Sequence, residues 1–146
     1  MANLIETINQ TGKFNTLVQA IKAASIQEIL QGSGPITVLA PTDQAFSKLP
    51  ADLLHALMTD QTALKRVLMY HLLFADARLE DLREITEAPT AEGSIVAVEH
   101  TDGRVKVNDA TVLESDLLTD NGVIHVIDRV LMPSLVEAEL ERSVSA

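Results

Sequence analysis

Residues 121–128 read NGVIHVID, a turn dipeptide followed by an apolar run that carries His125 and Asp128. An Asn-Gly pair is typical of a tight turn, and the run after it predicts a strand in the centre of a sheet. Successive side chains of a strand point to opposite faces, so His125 shares a face with Val123 and Ile127 while Asp128 points the other way. This alternation argues against a His-Asp relay within the strand, because a catalytic base and its orienting acid must lie within hydrogen-bonding reach.

The first half of the chain has the periodicity of helices. Apolar side chains recur every three or four positions from residue 14 to residue 21, and Asn15 is a candidate N-cap for this helix. The other elements predicted before residue 75 are a buried strand at 36–40 and helices at 53–57 and 60–71, the last with Asp60 as its cap and His71 on its apolar face.

The second half has the character of strands. Residues 94–100 and 104–108 flank the sequence Thr-Asp-Gly, which is a strong hairpin signal. Further strands are predicted at 111–118 and 123–131. Helices followed by strands indicate the α+β fold class.

The composition indicates one domain with an aliphatic core. Hydrophobic residues make up 47% of the 146 residues, whereas aromatic residues make up 3%. This length suits a single core. The chain has no cysteine, which excludes disulfides, thiolate metal sites and a cysteine nucleophile.

The charge is negative and unevenly distributed. The formal net charge is −10, and residues 1–50 carry three basic and three acidic side chains, so the whole excess lies in residues 51–146. Such a surface repels a phosphate backbone, so nucleic acid is not an expected partner. The first ten residues lack the basic n-region of a signal peptide, and no segment reaches the roughly 18 apolar residues of a membrane span. We therefore expect neither a signal peptide nor a transmembrane segment in this sequence.

Three segments, in this order, resemble the fasciclin-like adhesion domain family (fasciclin I type). They are TVLAPTDQAFSKLP at 37–50, the Tyr-His pair at 70–71 and NGVIHVIDRVLMP at 121–133. The similarity runs from about Ile5 to Pro133. It implies a single-domain microbial member with an α+β fold, a wedge-shaped β-sandwich with helices packed along one edge. The domain would occupy residues 1–133, and residues 134–146 would form a C-terminal tail containing a short helix.

The resemblance also implies a function. Members of the family typically act as non-enzymatic binding or adhesion modules that contact proteins, cell surfaces or matrix, in an extracellular or cell-surface location; the absence of a signal peptide leaves a cytoplasmic location open. Some animal members use an Asp-Ile pair just before the last motif in integrin recognition, and here that position reads Asp116-Leu117. We predict that Asp116 and Leu117 bind a partner, from a surface near 114–120 and the 41–50 region. The alternative is a carrier of an apolar ligand, a carotenoid or lipid, in a cleft between helices and sheet.

Polar residues in the three motifs are candidate structural tethers. A neutral imidazole has one donor and one acceptor, so a buried histidine can join two segments of the chain. Two other interpretations stay open: a metal site made of two histidines and a carboxylate, or a wet catalytic cleft. We predict no catalytic residue, no metal and no cofactor. The predicted tethers are Thr42, Asp43, Tyr70, His71, His125 and Asp128. Of these, Thr42 and Asp43 are predicted to cap the turn after Pro41, and Tyr70, His71 and Asp128 are predicted to tie a helix to the sheet.

Overall fold

The computed structural model describes residues 2–145, which form an α+β fold with most helices in the first half of the chain. This confirms the predicted fold class. The helices are α1 (Leu4–Thr11), α2 (Asn15–Ala24), α3 (Gln27–Leu30), α4 (Asp43–Ser47), α5 (Ala51–Thr59), α6 (Gln61–Met69), α7 (Leu79–Leu82) and α8 (Ser134–Ser145).

The strands form one seven-stranded sheet in the order β2-β1-β7-β6-β5-β4-β3. Neighbouring strands are antiparallel except β1 and β7, which are parallel and paired from Ile36↔Gly122 to Pro41↔Ile127. The strands are β1 (Ile36–Pro41), β2 (Leu72–Leu73), β3 (Glu87–Pro89), β4 (Ile95–Thr101), β5 (Arg104–Val107), β6 (Ala110–Leu118) and β7 (Gly122–Ile127).

Strand alternation divides the core into two parts. On β1 and β7, Val38, Ile124 and Val126 point towards the helices and join the helical core, which contains Phe14 from the residue before α2. Leu39 and Ile127 point to the opposite face, together with His125, and Leu39 and Ile127 join the inner core of the sheet. Both central strands are therefore buried on both sides, which explains their continuous apolar runs.

The inner core is enclosed because the sheet curls until its two ends approach each other. The amide of Ala91, just after β3, donates to the carbonyl of Leu72 in β2 over 2.8 Å. In a β-sandwich, two layers of strands face each other across a core. In this protein both layers belong to a single curled sheet.

Gly122 permits the close approach of β7 to β1. A Cβ atom at this position would lie 1.9 Å from the carbonyl oxygen of Ile36. The Asn-Gly dipeptide therefore does more than form a turn, because its glycine is the first residue of β7 and touches the neighbouring strand.

Several local predictions are confirmed and others are wrong. Thr42 caps α4 and Asp60 caps α6 through their side chains. Asn15 is not an N-cap, because α2 begins at this residue and the preceding Phe14 makes no side-chain cap bond. Helix α6 ends at Met69, so His71 lies in the turn after the helix rather than on its face. The strand predicted at 123–131 ends at Ile127.

Helix α8 is longer than the predicted short helix at the end of the chain. It spans Ser134–Ser145, and its Val136 and Leu140 side chains are buried in the helical core. The predicted helix in this segment therefore packs against the domain through Val136 and Leu140.

Candidate functional site

The predicted partner-binding pair lies on an irregular part of β6. The register with β7 shifts on both sides of Glu114, and Asp116 adopts a left-handed conformation with φ 58°. Its carboxylate oxygen Oδ1 accepts a hydrogen bond of 2.9 Å from the amide of Leu79, the first residue of α7. Asp116 is exposed, yet its carboxylate also supports the fold by satisfying a free amide at a helix start.

Leu117 is half-buried and packs against the helical core. Elsewhere on the same strand, Leu113 is 55% exposed and Leu118 is 46% exposed. The register shifts interrupt the regular alternation of β6, so which leucine faces solvent could not be read from the spacing of the sequence. The exposed apolar surface of β6 is formed by Leu113 and Leu118 more than by Leu117.

A groove lies between residues 42–44, which belong to one predicted binding region, and residues 113–114, at the edge of the other. Leu113 and Glu114 of β6 form one side, and Thr42, Asp43 and Gln44 form the other, around a volume of about 330 Å³. We call this the β6 groove. At its edge, Nζ of Lys13 lies 2.7 Å from Oε1 of Glu114; both side chains are about half exposed, so the pair contributes little to stability.

The carboxylate of Asp43 accepts hydrogen bonds from the start of α2, where Thr16 lies 27 residues earlier in the chain. Its Oδ1 accepts from the amide of Thr16 over 2.8 Å, and its Oδ2 accepts from Nδ2 of Asn15 over 3.1 Å. Partial burial opposes ionisation of Asp43, but the hydrogen bonds from Thr16 and Asn15 outweigh it and hold the pKa of the carboxyl below its usual range. Asp43 was predicted to cap the turn after Pro41, and the structure places its carboxylate on a different helix.

His71 joins the end of α6 to the segment after β7. Because the amide of Leu131 can only donate, the Nε2 that it meets at 2.9 Å must be the acceptor, and Nδ1–H donates to the carbonyl of Val67 over 2.7 Å. The ring is therefore neutral and in one tautomer. Burial lowers the pKa of His71 to about 4, against the opposite effect of the Val67 bond.

Tyr70 points in a different direction from its neighbour. Its hydroxyl donates to the carbonyl of Ile95 in β4 over 3.0 Å and accepts from Nδ2 of Asn108 over 3.1 Å. The ring lies in the inner core of the sheet. Tyr70 thus connects the end of α6 to β4, and His71 connects it to the segment after β7.

His125 uses the opposite tautomer. Its Nδ1 accepts from the amide of Asp116 over 3.3 Å, and its Nε2–H donates to the carbonyl of Ala77 over 2.7 Å. Burial lowers the pKa of His125, although the bond to Ala77 and the negative charge of Asp116 act in the other direction. The imidazole joins β7, the β6 bulge and the segment before α7.

Asp128 closes the end of β7 on β6. Its Oδ1 accepts from the amide of Thr111 over 2.7 Å, and its own amide donates to the carbonyl of Thr111 over 3.2 Å. Its carbonyl accepts from Nζ of Lys48, which follows α4, over 2.8 Å. The carboxylate was expected to tie a helix to the sheet, whereas it connects the end of β7 to β6. The contact with the helical part of the chain is made by the backbone carbonyl of Asp128, which bonds to Lys48 after α4.

The hydrogen bonds of His71, His125 and Asp128 are relevant to the two alternative interpretations of these residues, a metal site and a catalytic cleft. Both ring nitrogens of His71 and of His125 are engaged with backbone groups, and the two rings bond to different segments. Within residues 2–145, no group of three or more His, Asp and Glu side chains is arranged to hold a metal ion. Asp128 bonds to Thr111 and not to either imidazole in these contacts.

Comparison with known proteins identifies the family. The family model described as Fasciclin domain matches residues 12–133. This chain belongs to the fasciclin domain family. The predicted resemblance is therefore confirmed, and α8 lies beyond the part of the chain that the family model covers.

Relatives of this fasciclin domain include both small and large proteins. The chain is 40% identical over 132 residues to an uncharacterised protein, sll1735, of Synechocystis sp., covering 90% of this chain and 98% of that protein. It is 32% identical over 136 residues to human periostin, covering 90% of this chain and 16% of periostin.

The fold of the domain matches a solved structure. The structure of a FAS1 domain pair from the insect cell adhesion molecule fasciclin I superposes with a TM-score of 0.79 at 21% identity, covering 92% of this chain and 52% of that one. This confirms the fasciclin-type α+β fold. Fasciclin domains thus occur in a cell adhesion molecule, in keeping with a non-enzymatic module. In the described residues of this domain, no helix is long and apolar enough to cross a membrane.

Sequence reasoning missed two buried polar residues of the fasciclin domain. Asn121 was interpreted as a turn residue, but its Oδ1 accepts from the amide of Leu4 over 3.0 Å and its Nδ2 donates to the carbonyls of Leu30 and Gly32 over 2.8 Å. Thr37 was counted as a strand residue, and its hydroxyl bonds to the 75–77 segment. A polar side chain inside an apolar motif was the available signal, since buried polar groups are normally paired.

Proposed function

We propose that this fasciclin domain is a non-enzymatic module that binds another protein, at the cell surface or in the matrix, through the β6 groove. The main observation that supports this proposal is that two segments about 70 residues apart in the sequence, at 42–44 and 113–114, line the same open groove of about 330 Å³. The family's occurrence in a cell adhesion molecule supports the class of function.

The chemistry of the β6 groove suits a protein partner. Leu113 offers an exposed apolar side chain, and the rim carries the charges of Lys13, Asp43 and Glu114. An apolar centre with a polar rim is the usual arrangement of a protein interface. Asp116 and Leu117 follow on the same strand, outside the groove lining. We propose that Asp116 contacts the partner beside the groove, and that Leu117, which packs against the helical core, holds this part of β6 in position.

The apolar-carrier function has weaker support. A cavity among α1 and α2, lined by Ile5, Ile8, Val18 and Ile21, has a volume of about 30 Å³. This is about a tenth of the roughly 300 Å³ at which pockets for drug-sized ligands begin. A lipid or carotenoid in this part of the helical layer would require the helices to separate.

The test is retention of partner proteins from intact cells and matrix extracts on the immobilised full chain. Leu113→Asp places a charge at the centre of the groove, and we expect it to reduce retention of the specific partner about tenfold or more. Ile95→Asp is the matched control, because Ile95 is 53% exposed and lies on β4, outside the groove lining. Equal retention by the wild-type chain and Leu113→Asp, with both variants folded, would contradict the β6 groove as the binding surface.

A further inference from the structure

A second groove lies where the two edges of the curled sheet meet. Strands β2 and β3 are the ends of the strand order, and the Ala91–Leu72 hydrogen bond links them at one point. Beside this bond lies a groove of about 440 Å³, with residues 73–75 on the β2 side and 87–90 on the β3 side. We call it the seam groove. Sheet edges expose backbone groups that can pair with an added strand.

The walls of the seam groove are mostly apolar. Leu73, Ile85, Ala88 and Pro89 line it, together with Phe74, whose side chain is 60% exposed. The other phenylalanines of the chain, Phe14 and Phe46, are fully buried. An exposed aromatic side chain beside an apolar groove is typical of an anchor in a protein interface.

The segment that carries Phe74 is held in place from inside the molecule. The Thr37 hydroxyl donates to the carbonyl of Ala75 over 2.6 Å and accepts from the amide of Ala77 over 2.9 Å. His125 donates to the carbonyl of Ala77 over 2.7 Å. Because these bonds order the segment before any partner arrives, binding there avoids part of the usual entropic cost of fixing a loop.

The charges beside this segment are mainly negative. Glu87 lines the seam groove, while Asp76, Arg78 and Asp120 line an adjoining groove of about 360 Å³ on the other side of the segment. Arg78 is already paired with Asp76, with Nε 3.2 Å from Oδ1. Among the described residues, the lining of the seam groove itself carries one acid, Glu87, and no base, which is complementary to a partner that carries positive charge.

We propose that the seam groove binds an extended segment of a partner protein, which lies beside the β2 and β3 edges with apolar side chains against Phe74 and a Lys or Arg beside Glu87. This mode adds a strand to exposed sheet edges. The seam groove shares no lining residue with the β6 groove, so the two proposals succeed or fail separately.

The test begins with a displayed library of random peptides selected against the immobilised full chain. We expect the enriched peptides to alternate apolar residues with Lys or Arg. The best peptide, synthesised with a fluorescent label, should bind Phe74→Asp about tenfold or more weakly than the wild-type chain. Glu87→Lys should weaken binding about fivefold at low salt, and less at high salt because exposed charges are screened. His55→Asp is the matched control, because His55 is exposed on α5 and lines neither groove, and it should change the affinity less than about twofold.

Amide shifts in NMR spectra locate the bound peptide. Shifts concentrated at residues 72–77 and 87–91 support the proposal. Shifts concentrated at 42–44 and 113–114 would overturn it and would instead support the β6 groove. Failure to enrich any peptide, equal affinity of Phe74→Asp, or Phe74-dependent binding to phosphatidylcholine vesicles in place of peptides would each overturn it.

Discussion

The amide of Asp116 donates to Nδ1 of His125, and the same imidazole donates through Nε2 to the carbonyl of Ala77. One buried side chain thus orders two segments that border different grooves: the bulge of β6 and the segment after β2 that presents Phe74. The histidine of the motif NGVIHVID positions residues that border both of the proposed binding surfaces.

His125→Ala should lower the free energy of unfolding by about 1–3 kcal/mol, because it leaves the Asp116 amide and the Ala77 carbonyl without their partner. Urea unfolding followed by circular dichroism measures this loss. His55→Ala is the control, since His55 is exposed on α5, and it should change stability by less than about 0.5 kcal/mol. Equal stability of both variants would contradict a tethering role for His125.

Stability should fall as the pH falls from 6.5 towards 4, partly because of His71. Its pKa is lowered from 6.5 to about 4 in the folded protein, so the unfolded chain takes up the proton first. The contribution of neutral His71 is fully present above pH 6.5 and is lost on acidification, by on the order of 3 kcal/mol at pH 4.

Urea unfolding of wild-type and His71→Gln proteins between pH 5 and pH 7 separates this effect from that of the carboxyl groups. The glutamine side chain does not titrate, so the variant should show a smaller slope of stability against pH. The remaining slope includes His125, whose pKa is also lowered. An identical slope in the two proteins would rule out His71 as the titrating group.

Gly122→Ala should destabilise the protein by about 3 kcal/mol, because its Cβ would lie 1.9 Å from the carbonyl oxygen of Ile36 and would force β1 and β7 apart. Thermal and urea unfolding report this change. Gly32→Ala is a useful comparison, since its Cβ would lie 3.3 Å from the Ile29 oxygen, a contact that a small shift relieves. We expect its cost to stay below about 1 kcal/mol. A mild effect of Gly122→Ala would show that the strand spacing is adaptable.

Asp43→Ala should cost about 1–2 kcal/mol, since it removes the acceptor for the Thr16 amide at the start of α2. The stabilisation comes from the ionised carboxylate with a lowered pKa, so it is present above the usual pKa of 3.8 and is lost as the pH falls through the folded value. Gln44→Ala, an exposed neighbour on α4, is the control for urea unfolding at pH 7. If the two variants unfold at the same urea concentration, the Asp43–Thr16 contact does not stabilise α2.

The features that depend on neighbouring residues were predictable from the sequence. The cap of α6 joins Asp60 to Ala63 and the cap of α4 joins Thr42 to Ala45, and each bond closes within one helical turn. The hairpin around Asp102-Gly103 has the same local origin. Such signals, together with the three motifs, were enough for the α+β class and the fasciclin family.

Features that depend on distant residues were decided only by the tertiary structure. The carboxylate of Asp43 is shared with α2 and not with its own helix, because packing brings Thr16 within 2.8 Å. At the register shifts of β6, Leu117 is half-buried while Leu113 stays exposed, and both grooves exist because the curled sheet brings separated segments together. The sequence by itself determined many of the elements, which follow from local hydrogen bonding and from the periodicity of apolar side chains, and the family, which follows from the resemblance of the three motifs. The grooves required the fold, since a groove is a relation between segments that only long-range packing places side by side.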